Sequence, residues 1–329
     1  MSVRIAQDML FNKIREFIPP EASVADVVAE LLNLSPDSAY RRIRGDTPLV
    51  LDEAKVLCTH FKISLDQLYY IEPESVLFRN VRIDNQQYTF EHYISGIRDR
   101  LRSIRQHQEK DILYLTKDLP LVHNFYFPGL TAFRYYFWMK NILQHPDFST
   151  RSYDPELAGP LIRELCQDLT REYTQIPSTE IWNAECINSA ISQVEFCKSS
   201  GYFNSSSEIR DLYGYLEETI LHVQAQCEAG RKFMPGDSSP SGSFRFFYNR
   251  VILGDNTILV NLEGKKSVYL NYDALNYLTT GDITFCEQCE SDLRQLIRKS
   301  TLISQTGEKQ RNIFFGILLT KIKDRLKHL

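Results

Sequence analysis

Leu34-Ser35-Pro36-Asp37-Ser38-Ala39-Tyr40-Arg41-Arg42-Ile43-Arg44-Gly45 is the stretch that decides how the amino-terminal part of this chain folds. Ser35 and Pro36 together are a strong helix start. A serine hydroxyl can cap the free amides of a first turn, and proline suits the first helical position. The helix they open is predicted to run to Gly45. In it Ala39 and Ile43 stand one turn apart and face inward, which leaves Asp37, Ser38, Arg41, Arg42 and Arg44 on outer surfaces. Just upstream, Val24, Val27, Val28, Leu31 and Leu32 follow the i, i+3, i+4, i+7, i+8 spacing of one buried helix face, starting near Ser23 and ending at Asn33-Leu34. An apolar helix, a short turn and a second helix with three arginines form the unit that places its second helix in the major groove of DNA.

Arginine can donate two parallel hydrogen bonds to guanine O6 and N7, or clamp a phosphate. The expected contacts are therefore Arg41 and Ser38 with base edges, Arg42 with a base or phosphate, and Arg44 and Thr47 with the DNA backbone. Ser35 and Ser38, beside the free amides of the helix start, suit phosphate oxygens. Asp37 would accept from cytosine N4 or orient Arg41, one turn later. Residues 1–72 carry eight Lys and Arg against eleven Asp and Glu, a net charge of −3. Such a domain cannot coat DNA through bulk charge, so one copy should bind weakly and a dimer is expected.

With Leu51-Asp52-Glu53-Ala54 and Phe61-Lys62-Ile63-Ser64-Leu65-Asp66-Gln67-Leu68-Tyr69, this stretch resembles the five-helix domain of lambda-repressor/Cro-like regulators, the BetR-like variant in particular. The resemblance covers a minor part of the chain. It implies a compact helical fold, operator binding as a dimer, and residues 35–42 as the reader. The glutamines that often open the reading helix in that family are replaced here by Pro36 and Asp37. The rest of the chain is similar to the carboxy-terminal parts of uncharacterised bacterial regulators.

Outward from the central stretch, Asp8 to Phe17 is predicted as a first helix that Pro19-Pro20 terminates, Leu49 to Phe61 as a fourth, and Ser64 to Tyr70 as a short fifth. Glu72 to Ser75 is the expected boundary. Tyr88 to Gln108 reads as a long helix whose Phe90, Ile94, Ile97, Leu101 and Ile104 make a heptad seam, packed within its own domain or against a second copy. The aromatic-rich segment that follows includes Phe127, Phe133, Tyr136 and Trp138, which line a ligand pocket or fill the core. Helices are predicted over Pro155 to Tyr173, Ser178 to Lys198, Ser206 to Ala229, Glu287 to Lys299 and Glu308 to Lys327. Phe244 to Leu253, Thr257 to Leu262 and Ser267 to Tyr272 read as a three-stranded antiparallel meander. The predicted architecture is mainly α, α+β overall: a five-helix domain at 1–72, a connecting or dimerisation helix at 73–110, and an α+β dimerisation or effector-sensing domain at 111–329.

No GxGxxG, Walker A, GxSxG or HExxH motif occurs, and the seven histidines are scattered without ligand spacing. Cys286-Glu287-Gln288-Cys289 lacks a second cysteine pair or a nearby histidine for a zinc site. Neither catalytic residues nor a cofactor nor a metal is expected. No apolar run approaches the ~18 to 20 residues of a membrane span, and the first residues do not read as a signal peptide, so a bacterial cytoplasmic, nucleoid-associated address is expected. The expected function is a one-component transcription regulator that binds double-stranded DNA as a homodimer and answers to a small-molecule or protein effector. The alternative is an interaction adaptor or antitoxin-like repressor whose larger domain grips a protein.

Overall fold

The computed structural model describes residues 3–19, 22–69, 75–80, 89–237, 239, 241–251, 254–273, 276–327 and 329. The expectations that fall on Pro20, Tyr70, residues 72–74, Tyr88 and residues 252–253 lie outside that range. The chain divides into two units, residues 1–77 and 78–329.

Five helices build the first unit: α1 (Val3–Arg15), α2 (Val24–Leu32), α3 (Pro36–Ile43), α4 (Leu51–Phe61) and α5 (Leu65–Tyr69). The first begins ahead of the predicted Asp8, and α3 ends short of Gly45. Leu10, Phe11 and Ile14 of α1 meet Val28 and Ala29 of α2, Ala39 of α3, and Leu57, Cys58 and Phe61 of α4 in one buried cluster. These are the apolar positions that helical spacing places on one stripe of each helix.

The second unit contains, in chain order, β1 (Arg79–Asn80), α6 (Phe90–Gln106), β2 (Lys110–Leu115), α7 (Pro128–Phe137), α8 (Gly159–Thr174), β3 (Ser178–Trp182), α9 (Asn188–Ser199), α10 (Ser206–Ala229), β4 (Phe244–Tyr248), β5 (Thr257–Leu262), β6 (Lys265–Asn271), β7 (Tyr277–Thr280), α11 (Ile283–Arg298), β8 (Thr301–Leu302) and α12 (Glu308–Leu326). Among the described residues, eight strands form a single mixed sheet in the order β1-β7-β6-β5-β2-β3-β4-β8.

This sheet replaces the predicted three-stranded meander. The strands β5 and β6 do pair antiparallel, but β4, expected beside β5, instead runs parallel to β3 and antiparallel to β8. At the centre β2, β3 and β4 are parallel, with Ile112 opposite Ser178 and Ser178 opposite Phe244. The error has a physical origin in Ser178 to Trp182, predicted as the start of a helix. All five of these residues are buried, so the segment lacks the polar-apolar alternation of a half-exposed strand. Asn183 then accepts the Glu185 amide at 2.7 Å and turns the chain before α9 begins. The predicted helix from Pro155 likewise starts as a short 3-10 turn, and α8 proper begins at Gly159.

Alternate residues of the strands face two separate cores. Ile112 and Tyr114, Trp182, and Phe244, Phe246 and Tyr248 join α6 to α10 and α12 in the larger one. Leu113, Ile181, Phe247 and Leu259 face the other way, against Cys286 and Leu293 of α11. The helices that connect β2 to β3 and β3 to β4 contribute their buried residues to the larger core, while α11 packs on the other face. Phe90, Ile94, Leu101 and Ile104 of the heptad seam are buried in the larger core, with Ile97 half-buried against it, and α6 packs on α8.

Candidate nucleic-acid interface

The turn between α2 and α3 is set by backbone chemistry. Asn33 takes a left-handed conformation (φ 53°) that ends α2, and the Leu34 amide closes on the Ala29 carbonyl at 2.9 Å. Ser35 is extended, and its Oγ accepts the Ser38 amide at 3.3 Å while donating to Ser38 Oγ at 2.9 Å. Pro36 occupies the first turn, where a missing N–H costs nothing. At the other end of α3, Gly45 is left-handed (φ 76°), and the amides of Asp46 and Thr47 fold back onto the Arg41 carbonyl.

A residue that sequence reading did not single out fixes this far end. Gln7 of α1 is 7% exposed; its Nε2 donates to the carbonyls of Arg42 (2.6 Å) and Thr47 (2.9 Å), and its Oε1 accepts the Leu49 amide at 2.9 Å. A buried amide makes three of its possible bonds here, so the loop after α3 has no unpaired group at that point.

The predicted contact residues separate into two sets. Ser35, Asp37, Arg41 and Arg44 are exposed, and Ser38 and Thr47 are half-buried beside them. Arg41 lies 3.3 Å from Asp37, and Arg44 lies 3.6 Å from Asp46 with its guanidinium 5.7 Å over the ring of Tyr40. Tyr40 is half exposed at the same surface, although in the sequence only its arginine neighbours carry an obvious DNA chemistry. Arg42 belongs elsewhere. Its Nε and Nη2 each sit 2.8 Å from a carboxylate oxygen of Glu53, its Nη1 donates to the Ser38 carbonyl, and both side chains are about one-sixth exposed (16% and 17%). The Arg42 hydrogen bond holds the Glu53 carboxyl below its usual pKa against the opposing effect of burial, helped by the Val50 amide. Arg42 therefore ties α3 to α4, and its donors face α4 rather than the outer surface.

In the second unit, Phe133 and Tyr136 are core residues packed edge to face with Tyr153, and Phe127 lies half-buried near His222. Trp138 is buried too, but also lines a cavity. A buried polar network crosses the larger core: Glu180 accepts from Trp182 Nε1 at 2.7 Å and from the Tyr173 hydroxyl, and lies 3.2 Å from His123 Nε2. Lys232, with no exposed surface, makes no hydrogen bond through Nζ, which sits 3.7 Å from the centre of the Tyr173 ring. Burial pushes Glu180 up, but His123, the Tyr173 hydroxyl and Lys232 outweigh it and keep the carboxyl below its usual value. Burial drives Lys232 down to about 7.

Burial also raises the thiols of Cys286 and Cys289, the latter to about 11. Among the described residues no three His, Cys, Asp or Glu side chains gather in a way that could hold a metal ion, and no helix is long and apolar enough to cross a membrane. No protein-family model, curated protein or solved structure matches this chain.

Proposed function

We propose that the chain is a sequence-specific DNA-binding transcription regulator of the lambda-repressor/Cro-like kind, acting as a dimer in the bacterial cytoplasm. The observation that carries this reading is the division of α3. Ala39 is buried against α1, α2 and α4, while the capped helix start and the side chains of Asp37, Tyr40, Arg41 and Arg44 stand in the open. A helix so held can enter a major groove amino end first.

In this reading Arg41, aimed by Asp37 one turn earlier, meets a base edge; Arg44 and Tyr40 meet the DNA backbone; Ser35 and Ser38 take a phosphate. Arg42 acts as a positioning residue. The net charge of −3 on residues 1–72 leaves little non-specific attraction, so the second copy supplies the missing phosphate contacts.

The test is selection of genomic fragments by the full chain, repeated with Arg41→Ala and Arg44→Ala. Wild type should enrich a defined sequence. Arg41→Ala should lose or relax it, and Arg44→Ala should bind all sites more weakly with a salt slope smaller by about one. Enrichment of no sequence by wild type at moderate salt, or of the same sequence equally well by both variants, sinks the reading.

One observation favours a protein partner instead: both exposed arginines already have an acidic neighbour, Asp37 and Asp46, within an acidic unit. A stable complex with a second protein, and no DNA enrichment, would select that adaptor reading.

A further inference from the structure

At the carboxyl end of β2 the sheet order reverses: the chain leaves β2 for β3 on one side and later returns to β5 on the other. Open sheets flanked by helices bind their ligands at such a point, because the loops diverge there and leave a crevice. A cavity of about 200 Å³ lies at this place, between the sheet end and helices α7 and α9. That is room for a small organic molecule rather than a lone water.

Two opposite charges line the cavity without neutralising each other. Arg134 of α7 is 7% exposed; its Nε donates to Asn124 Oδ1 at 2.8 Å and its Nη1 donates to Gln193 Oε1. Both partners are neutral amides, and among the described residues no carboxylate forms an ion pair with it. A guanidinium taken out of water needs a counter-charge to offset its lost hydration. Burial lowers the Arg134 pKa to about 10, and Asp118 acts against that fall. The Asp118 carboxylate also lines the cavity, half-buried, with Asn256 Nδ2 3.5 Å away, too far from Arg134 to pair with it. A simple anion at Arg134 would meet the repulsion of Asp118, and a simple cation that of Arg134.

We propose that this cavity binds a small zwitterion of the amino-acid kind, its carboxylate on Arg134 and its ammonium group toward Asp118. Part of the cavity wall is aromatic, with the rings of Tyr93 and Trp138 edge to face at 5.1 Å. Tyr114, Leu121 and Tyr277 line both this cavity and an adjoining apolar one of about 110 Å³ that Ile97, Ile112 and Val260 also line. An apolar side chain fits that second space, so apolar amino acids should bind in preference to charged ones.

The site belongs wholly to the second unit, and its test needs no DNA, so its failure and the failure of the α3 reading are separable. The full chain is titrated by calorimetry with each of the common L-amino acids. Each binder is then compared with its analogue lacking the amine and with its carboxamide. At least one apolar amino acid should bind, with either analogue weaker by about tenfold or more, since a buried polar group left unpaired penalises the analogue. Arg134→Gln should weaken binding by a similar factor. Because a core arginine can matter for folding, Ser189→Trp is the second variant: from a half-buried position on α9 it fills the cavity, and circular dichroism reports on the fold. Binding of no amino acid, equal binding of the analogue without an amine, or unimpaired binding by folded Ser189→Trp would overturn the proposal.

Discussion

Arg42 and Glu53 face each other through two contacts of 2.8 Å that join the last turn of α3 to the first turn of α4. The geometry is bidentate and mostly shielded from solvent, which separates it from the two looser, exposed pairs on α3. Glu53→Gln should cost about 1.5–3 kcal/mol of stability at neutral pH, the range for hydrogen bonds to charged groups. Since the folded Glu53 carboxyl titrates below its ordinary value, the stability it adds is complete above the ordinary carboxylate range and lost as pH falls through the depressed value. Urea denaturation of wild type and variant across acidic pH should therefore show two curves that converge on acidification. Parallel curves would refute the assignment.

The heptad seam of α6 can be tested for where its burial comes from. Ile94 has no exposed surface in a single copy, packed in the larger core. Ile94→Ala should cost about 2–5 kcal/mol, the range for an emptied core position. If the seam is core, the loss is the same at all protein concentrations. A loss that grows on dilution would assign the seam to a dimer contact instead.

Removing Glu180 strands Trp182 Nε1, the Tyr173 hydroxyl and the neighbouring charge of Lys232. Glu180→Ala is expected to cost about 3–5 kcal/mol, as for one partner taken from a buried charged group. Lys232 acts in the same pH direction as Glu53, but in a window well above it. Its folded value of about 7 lies below the ordinary lysine range, so between the two the unfolded chain binds a proton that the folded chain lacks. This residue makes stability rise with pH from about 7 toward about 10. Lys232→Met should flatten that rise in thermal or urea unfolding, and an unchanged alkaline slope would show that Lys232 is not its source.

Gly242 is set by close approach rather than by an unusual backbone angle. A Cβ there would lie 2.5 Å from the Ile176 carbonyl carbon and 2.6 Å from its oxygen, and backbone cannot rotate away as a side chain can. The same glycine accepts the Lys232 amide and donates to the Thr174 carbonyl, so it anchors the entry to β4. Gly242→Ala should lower stability by about 1–3 kcal/mol, as overpacking does, and differential scanning calorimetry would register it. A neutral result would mean the approach relaxes freely.

The α2 and α3 pair could be read from sequence because its signals are local: Ser35 and Pro36 mark one boundary, and Val24 to Leu32 repeats with helical period. The parallel centre of the sheet could not. Strands β2 and β3 are short, and the buried Glu180 in the middle of β3 looks like a solvent-facing helical residue until its three neighbours are placed around it by segments far apart in the chain. Arg134 was hidden differently. In Phe133-Arg134-Tyr135-Tyr136-Phe137 the aromatic residues suggest a cavity, yet Phe133, Tyr135 and Tyr136 fill the core and the lone arginine among them carries the charge. An arginine inside an otherwise apolar helical stretch is the signal that could have found it. Arg42 could not be told from Arg41 by spacing, since the difference depends on Glu53, in the next helix.

The three hydrogen bonds of Gln7 carry a consequence for how portable the α2 to α3 segment is. The loop that steers the end of α3 is satisfied by an amide from a helix outside the segment, so the motif and its geometry are encoded in different places. Residues 23–47 grafted onto a foreign scaffold would keep every contact side chain and still lose the set of the helix. A change at Gln7 would likewise alter the exposed face of α3 while leaving its sequence untouched.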